Sequence, residues 1–226
     1  MQALLTPFPQ AVIFDMDGLM IDTETIYHAA WQKAAAELGY TLDQRLFHDL
    51  IGLRTEDCEA QIYASMGEEF PMAEFTARWE SHWDNHARTQ GIEIKPGLGE
   101  LLARLETLAM PKAVATSSTW AEAERSLGLT GLAARFPVVV TGDQVANGKP
   151  APDIYLEAAR RLGIPPEACV AFEDSSAGAL AAATAGMRTY IVPDLKPPTP
   201  DARAAAEAVI ASLHDALALF PEVRGE

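Results

Sequence analysis

Short apolar runs alternate with longer stretches whose apolar positions recur every three or four residues. Residues 11–14, 113–115, 138–140, 169–172 and 189–192 have the length and composition of buried strands. Leu98, Leu101, Leu102, Leu105 and Leu108 form one helical stripe, and Leu156, Ala159 and Leu162 mark another that opens near Asp153 and stops at Gly163. Ser175 reads as a helix N-cap and Gly186 as the matching stop. Positions 209–210 suit a short edge strand, and Ser212 and Asp215 open a last helix through Leu217, while 204–208 fits helix or loop equally. Strands alternating with helices in this way predict an α/β fold with a parallel sheet covered on both faces.

Residues 23 to about 92 break that rhythm, with four helical stretches and no strand pattern. Ile26, Ala30, Ala34 and Leu38 line one face before Gly39; Leu46, Phe47, Leu50 and Ile51 form a shorter helix before Gly52. Thr55 is placed to cap a third helix that carries Glu56 and Asp57 at its positive end and continues through Cys58, Ile62 and Met66. After Pro71, Phe75, Trp79 and Trp83 are spaced by four, which predicts the core of a helix bundle. The linkers fall near 19–23 and 92–96, so the division is a core of residues 1–20 and 95–226 around a helical insert, 21–94.

A hydrophobic content of 49% supports a sizeable core, and a net charge of −15 argues against nucleic acid as a main partner. An anionic substrate would then need a local positive site. Cys58 and Cys169 build no disulfide framework or thiolate metal site. No apolar stretch approaches the roughly 20 residues of a membrane span, and the opening residues 1–7 lack the pattern of a signal peptide, so a cytoplasmic setting is expected. A monomer or weak homo-oligomer is expected.

The candidate chemistry lies where apolar runs end. Residues 11–14 run into Asp15-Met16-Asp17-Gly18, two acids that cannot both sit dry and ionised without a counter-charge; a hard cation such as Mg²⁺ would resolve the conflict. The run 113–115 leads into Thr116-Ser117-Ser118, 138–140 leads after a turn to Gly148-Lys149-Pro150, and 169–172 leads into Glu173-Asp174-Ser175. Taken singly, each has an ordinary explanation. Thr116 and Ser117 could cap a helix near Trp120, Lys149 could be an exposed loop lysine, and Glu173 and Asp174 could be helix-start acids. In a parallel sheet, however, strand ends are where ligands bind, so the four clusters can converge.

Acid pair, hydroxyl, lysine and second acid pair, in that order, resemble the four motifs of the haloacid dehalogenase superfamily. The whole segment 14–24, the string 142–153 and Phe172-Glu173-Asp174-Ser175-Ser176-Ala177-Gly178 resemble its subgroup of small-molecule phosphatases and β-phosphoglucomutases. The resemblance implies a Rossmann-like parallel sheet with an inserted all-helical cap domain. It also implies a Mg²⁺-dependent phosphatase that acts on a small phosphorylated metabolite, a sugar or nucleoside phosphate, through an aspartyl-phosphate. Asp15 would be the nucleophile and Asp17 the acid and base, protonated when substrate binds. Asp15, Asp174, Glu173 and the backbone carbonyl of Asp17 would hold Mg²⁺. Thr116, Ser117 and Lys149 would hold phosphate, Lys149 would also pair with Asp15, and Gly18 would permit a close backbone turn.

Departures from the subgroup bear on substrate. Its mutases carry a lysine just after the hydroxyl motif and a histidine shortly after the Asp-Thr pair; here Thr119 and Tyr27 stand there, and His28 would point elsewhere. This favours a hydrolase over a phosphomutase. The true dehalogenases lack the second acid, which here is Asp17. A non-enzymatic receiver-like phospho-switch also places an aspartate, a hydroxyl and a lysine in that order, but has no such helical insert. Arg54 is the leading candidate for a substrate contact from the cap. His82 and His86 have metal-ligand spacing, but no nearby acid completes a site, which favours a plain helix face.

Overall fold

The computed structural model describes residues 7–220; the opening residues 1–6, read above for a leader pattern, lie outside them. Six parallel strands, β1 (Ala11–Phe14), β2 (Lys112–Thr116), β3 (Val138–Thr141), β4 (Cys169–Glu173), β5 (Arg188–Ile191) and β6 (Ala208–Val209), form one sheet in the order β3-β2-β1-β4-β5-β6. The order reverses at β1, which pairs with β2 on one side and β4 on the other, Phe14 lying level with Val114 and Phe172. The residues that follow β1 and those that end β2 and β4 therefore emerge side by side, at the switch point where such sheets bind ligands.

The period-two alternation divides the strands between two cores. Phe14, Val114, Phe172 and Tyr190 face the bulkier one, where Phe14 stacks on Phe172 with ring centres 5.6 Å apart. Ala11, Ile13, Ala113, Ala115 and Ala171 face the other. Helix α5 (Leu98–Thr107) packs in the first core through the predicted leucine stripe. In α7 (Asp153–Leu162) the buried face is Ile154, Tyr155, Ala158 and Ala159, and Leu156, predicted to be apolar-facing, is exposed. The small strand side chains of this layer let the helix come close, so a face half made of alanine does the packing. Helix α8 (Ser176–Thr184) is capped as expected, Ser175 Oγ accepting from Gly178 N at 3.0 Å, and Gly186 follows its end with φ +88°. The ambiguous stretch resolves into α9 (Pro200–Ala205) followed by β6, and α10 (Leu213–Ala216) closes the fold behind a Ser212–Asp215 capping box.

The helical cap contains α1 (Glu24–Glu37), α2 (Gln44–Leu50), α3 (Thr55–Met66) and α4 (Met72–Thr89), joined by their own apolar cluster. Trp83, Phe75 and Trp79 are buried in it, as their spacing predicted. Thr55 is the first helical residue rather than the cap; Arg54 holds that position, with no side-chain cap bond, because its extended backbone delivers the chain from Gly52. An acid does reach His82: Glu37 of α1 accepts from Arg78 at 3.1 Å and lies 3.0 Å from His82 Nε2, a surface tie between α1 and α4 that sequence distance concealed. No helix of the described residues is long and apolar enough to cross a membrane.

Candidate active site

Asp15 directly follows β1, Thr116 ends β2 and Glu173 ends β4, so three predicted site residues meet because their strands are neighbours. Lys149 completes the group from the loop before α7. It is no exposed loop lysine, being only 3% exposed. Its Nζ donates to Asp15 Oδ1, to Glu173 Oε1 at 2.6 Å and to the Ala115 carbonyl at 3.1 Å. Glu173 is fully buried and saturated with donors. Oε1 also accepts from Tyr155 Oη at 2.7 Å, and Oε2 accepts from the backbone N–H of Asp174 and Ser175, both at 3.1 Å, and from Ser175 Oγ at 3.0 Å. A side chain at Gly178 would overlap the Glu173 carboxylate, which explains that glycine.

Asp17 occupies a cage of hydroxyls. Its Oδ1 accepts from Thr23 Oγ1 at 2.5 Å, and its Oδ2 accepts from Thr116 Oγ1 at 3.1 Å and Ser118 Oγ at 2.8 Å. Hydroxyls can turn from donor to acceptor, so the cage can serve Asp17 with or without a proton. Neither Thr116 nor Ser117 caps the following helix α6 (Trp120–Leu129); Thr119 does, through a capping box with Glu122. Ser117 lines the same cavity, but its hydroxyl donates to the Gly52 carbonyl of the cap at 2.8 Å, and it is Ser118 that reaches Asp17.

An open cavity rises from Asp15, Asp17 and Thr116 into the cap, where Trp31, Phe47, Phe75 and Trp79 line it. The aromatic stripe therefore packs the bundle and faces the cavity at once. Arg54 does not line this space. Its Nε pairs with Asp57 at 3.0 Å, it donates to the Ala146 carbonyl at 3.3 Å, and a side chain at Gly148 would overlap it. The glycine-rich turn beside Lys149 leaves room for the arginine, which joins cap to core.

A family model described as haloacid dehalogenase-like hydrolase matches residues 12–192, which contain all four clusters. The chain belongs to this hydrolase family. It is 34% identical over 178 residues to a phosphorylated carbohydrates phosphatase of Thermotoga maritima, covering 79% of this chain and 82% of that protein. It is 34% identical over 218 residues to a probable pseudouridine-5'-phosphatase of Drosophila melanogaster, covering 90% of this chain and 89% of that one. The crystal structure of CbbY from Rhodobacter sphaeroides in complex with xylulose-(1,5)bisphosphate matches with a TM-score of 0.81 at 26% identity, covering 95% of this chain and 100% of that chain. Membership in the hydrolases sets the receiver-like reading aside.

The electrostatics of this haloacid dehalogenase-like site follow from too many acids in a dry place. Burial raises Asp15 well above the usual carboxylate range against the pull of Lys149, with Glu173 and Asp17 adding to the rise. Burial also raises Asp174, helped by Asp15, Glu173 and Glu24. Burial alone would lower Lys149, but Asp15 and Glu173 outweigh it, so the ammonium stays charged. The carboxylates of Asp15, Glu173 and Asp174 offer oxygens within 4.8 Å of one another. Among the described residues nothing donates to the Asp174 carboxylate, and a side chain at Gly18, whose φ is +82°, would overlap its Oδ2. Hard oxygen donors crowded in this way suit a divalent cation such as Mg²⁺. Asp15 and Asp174 have oxygens to offer it, whereas Glu173 has its lone pairs engaged and serves better to hold Lys149 and Tyr155 in place.

Glu24, Tyr155, Thr23 and Ser118 received no role from sequence. Thr23 and Glu24 stood inside the first motif, whereas Tyr155 reaches Glu173 only because α7 packs beneath the sheet. Glu24 is buried at the start of α1 and lines the cavity; burial, followed by Asp17, Asp15, Asp194 and Asp22, pushes its carboxyl from 4.5 up to about 8. The folded state thus holds a proton that the unfolded chain releases above pH 4.5, so stability must fall as pH rises through that interval, at up to about 1.4 kcal/mol per pH unit for one group. Without divalent cations, the melting temperature is expected to drop between pH 5 and 8, and to drop less in Glu24→Gln. Equal drops in the two proteins would contradict this assignment. Burial also pushes the Cys58 thiol up to about 12, so this cavity residue offers no thiolate at neutral pH.

Proposed function

We propose that this hydrolase is a Mg²⁺-dependent phosphatase of a small phosphorylated metabolite, a sugar or nucleoside phosphate, that works through an aspartyl-phosphate on Asp15. The observation that carries the reading is the buried Lys149 clamped between Asp15 and Glu173, with Asp15 itself lining an open cavity. Asp15 Oδ attacks phosphorus; the new O–P bond forms as the bond to the leaving oxygen breaks, and Asp17 delivers its proton to that oxygen. Asp17 then takes a proton from the water that attacks the aspartyl-phosphate, which releases phosphate and restores both acids. Lys149 and Thr116 hold phosphate oxygens while charge builds on them. Asp15 and Asp174, with the backbone carbonyl of Asp17, would hold Mg²⁺, which shields the anionic nucleophile from the anionic phosphate.

Two positions support hydrolysis over mutase chemistry. Thr119 is committed to capping α6, and Tyr27 packs 5.7 Å from both Trp79 and Trp83, so neither supplies the cation or imidazole that a retained bisphosphate would need.

Phosphate release from a panel of small phosphate esters, with Mg²⁺ and with EDTA, tests the reading: release confined to the Mg²⁺ arm is expected, and isomer formation without release would refute it. At about a hundredfold excess over its Kd, Mg²⁺ should stabilise the protein by about 2.7 kcal/mol, or roughly 5–11 °C in Tm. That rise should vanish in Asp174→Asn; a full rise in the variant would remove Asp174 from the metal site.

A further inference from the structure

Among the described residues, the cavity above Asp15 is lined by acids and rings but by no basic side chain. Apart from Asp15 and Asp17, its charged lining residues there are Glu24, Glu59 and Glu122, with no lysine, arginine or histidine among them. Lys149 lies behind Asp15, engaged by Asp15 and Glu173, where it can serve only the phosphate under attack. Arg54, the cap arginine beside the site, is tied to Asp57 and the Ala146 carbonyl outside the cavity. A second phosphate would be stripped of water against carboxylates with no counter-charge, and such like-charge juxtaposition costs several kcal/mol.

The upper walls are apolar and aromatic, with Trp31, Phe47, Phe75 and Trp79 among them. Flat rings gain from stacking and edge contacts on such walls, whereas a bare polyol would lose hydration without replacement. Glu24, a buried acid near Asp15 and Asp17, lines the cavity as well and can accept from a hydroxyl close to the phosphate.

We propose that the substrate carries a single phosphate on an otherwise uncharged alcohol or phenol that bears a flat aromatic ring, so that the site takes aryl- or nucleoside-type monophosphates and rejects bisphosphates. The inference rests on the phosphatase reading and narrows it.

The test compares kcat/KM for phenyl phosphate, uridine monophosphate, the uridine bisphosphate with its second phosphate on the ribose, and ribose phosphate. The better of the two ring-bearing monophosphates should exceed ribose phosphate by about tenfold. Uridine monophosphate should exceed the bisphosphate by about 100-fold. In Glu59→Lys, which puts a cation in the lining, that second ratio should shrink at least about tenfold. The proposal is overturned if the bisphosphate matches the monophosphate in the wild type, if ribose phosphate exceeds both ring-bearing monophosphates, or if Glu59→Lys leaves the ratio unchanged. Hydrolysis of none of the four esters would instead bring down the phosphatase reading, and this inference with it.

Discussion

Asp15→Asn is expected to lower phosphate release by roughly 10⁴-fold or more while leaving the protein at least as stable as the wild type. The loss follows from the proposed covalent role: an amide oxygen is a poor nucleophile, and both oxygens of Glu173, the other carboxylate paired with Lys149, are engaged. The retained stability follows from the charge count. Asp15, Glu173 and Lys149 form a buried trio with one acid in excess, and burial already disfavours ionised Asp15. The amide makes the trio neutral and keeps an acceptor for Lys149. Phosphate release and a thermal melt at pH 8 check both halves. Turnover near the wild-type level would refute the nucleophile, and a large drop in Tm would refute the charge argument.

Lys149→Met should have the largest effect on stability. The substitution keeps much of the side-chain volume but leaves Asp15, Glu173 and Asp174 facing one another with no cation, in a place where Glu173 is fully buried. Removing one partner of a buried pair typically costs about 3–5 kcal/mol. At roughly 2–4 °C per kcal/mol for a chain of this length, the melt should fall by roughly 6–20 °C. The sign of the pH dependence is fixed by the acids. Protonation of Asp15 and Asp174 is favoured in the folded state, so acidification should restore part of the loss. Calorimetry of wild type and variant at pH 8 and pH 5.5, without metal, should show a wider gap at the higher pH. A gap of the same size at both would mean that Lys149 acts through packing rather than charge.

The sheet and the clusters at its strand ends were legible because a buried strand that stops at an acid or a hydroxyl breaks the apolar pattern at a definite residue. Asp15, Thr116 and Glu173 stood out in this way, and parallel pairing then had to bring them together, whereas Lys149 joins them from the loop before α7. What stayed hidden depends on distances that the chain does not encode locally. Leu156 looked like a core position because spacing alone cannot tell which side of a helix meets a strand lined with alanine. Arg54 looked like a ligand contact because its pairing with the Ala146 carbonyl requires the cap to be folded onto the core. Glu24 stands in a first helical turn, an ordinary place for an acid, and only the closure of the cavity around it makes it a buried group. Tyr155 carried no signal, since its bond to Glu173 joins a helix and a strand end through the packed interior.

The central claim is that a phosphoryl group passes through Asp15. The most direct test uses Asp17→Asn with phenyl phosphate and Mg²⁺, quenched in acid at short times. Phenol leaves when phosphoryl transfers to Asp15; as a better leaving group than an alcohol it depends less on the Asp17 acid, whereas the water step that follows needs the Asp17 base, so the variant slows the second step more than the first. The account predicts an early burst of phenol approaching the enzyme concentration, with the mass of one phosphoryl group added to the peptide that contains Asp15. Phenol released with no phosphorylated protein in matching amount, or the phosphoryl group found on another residue, would contradict it.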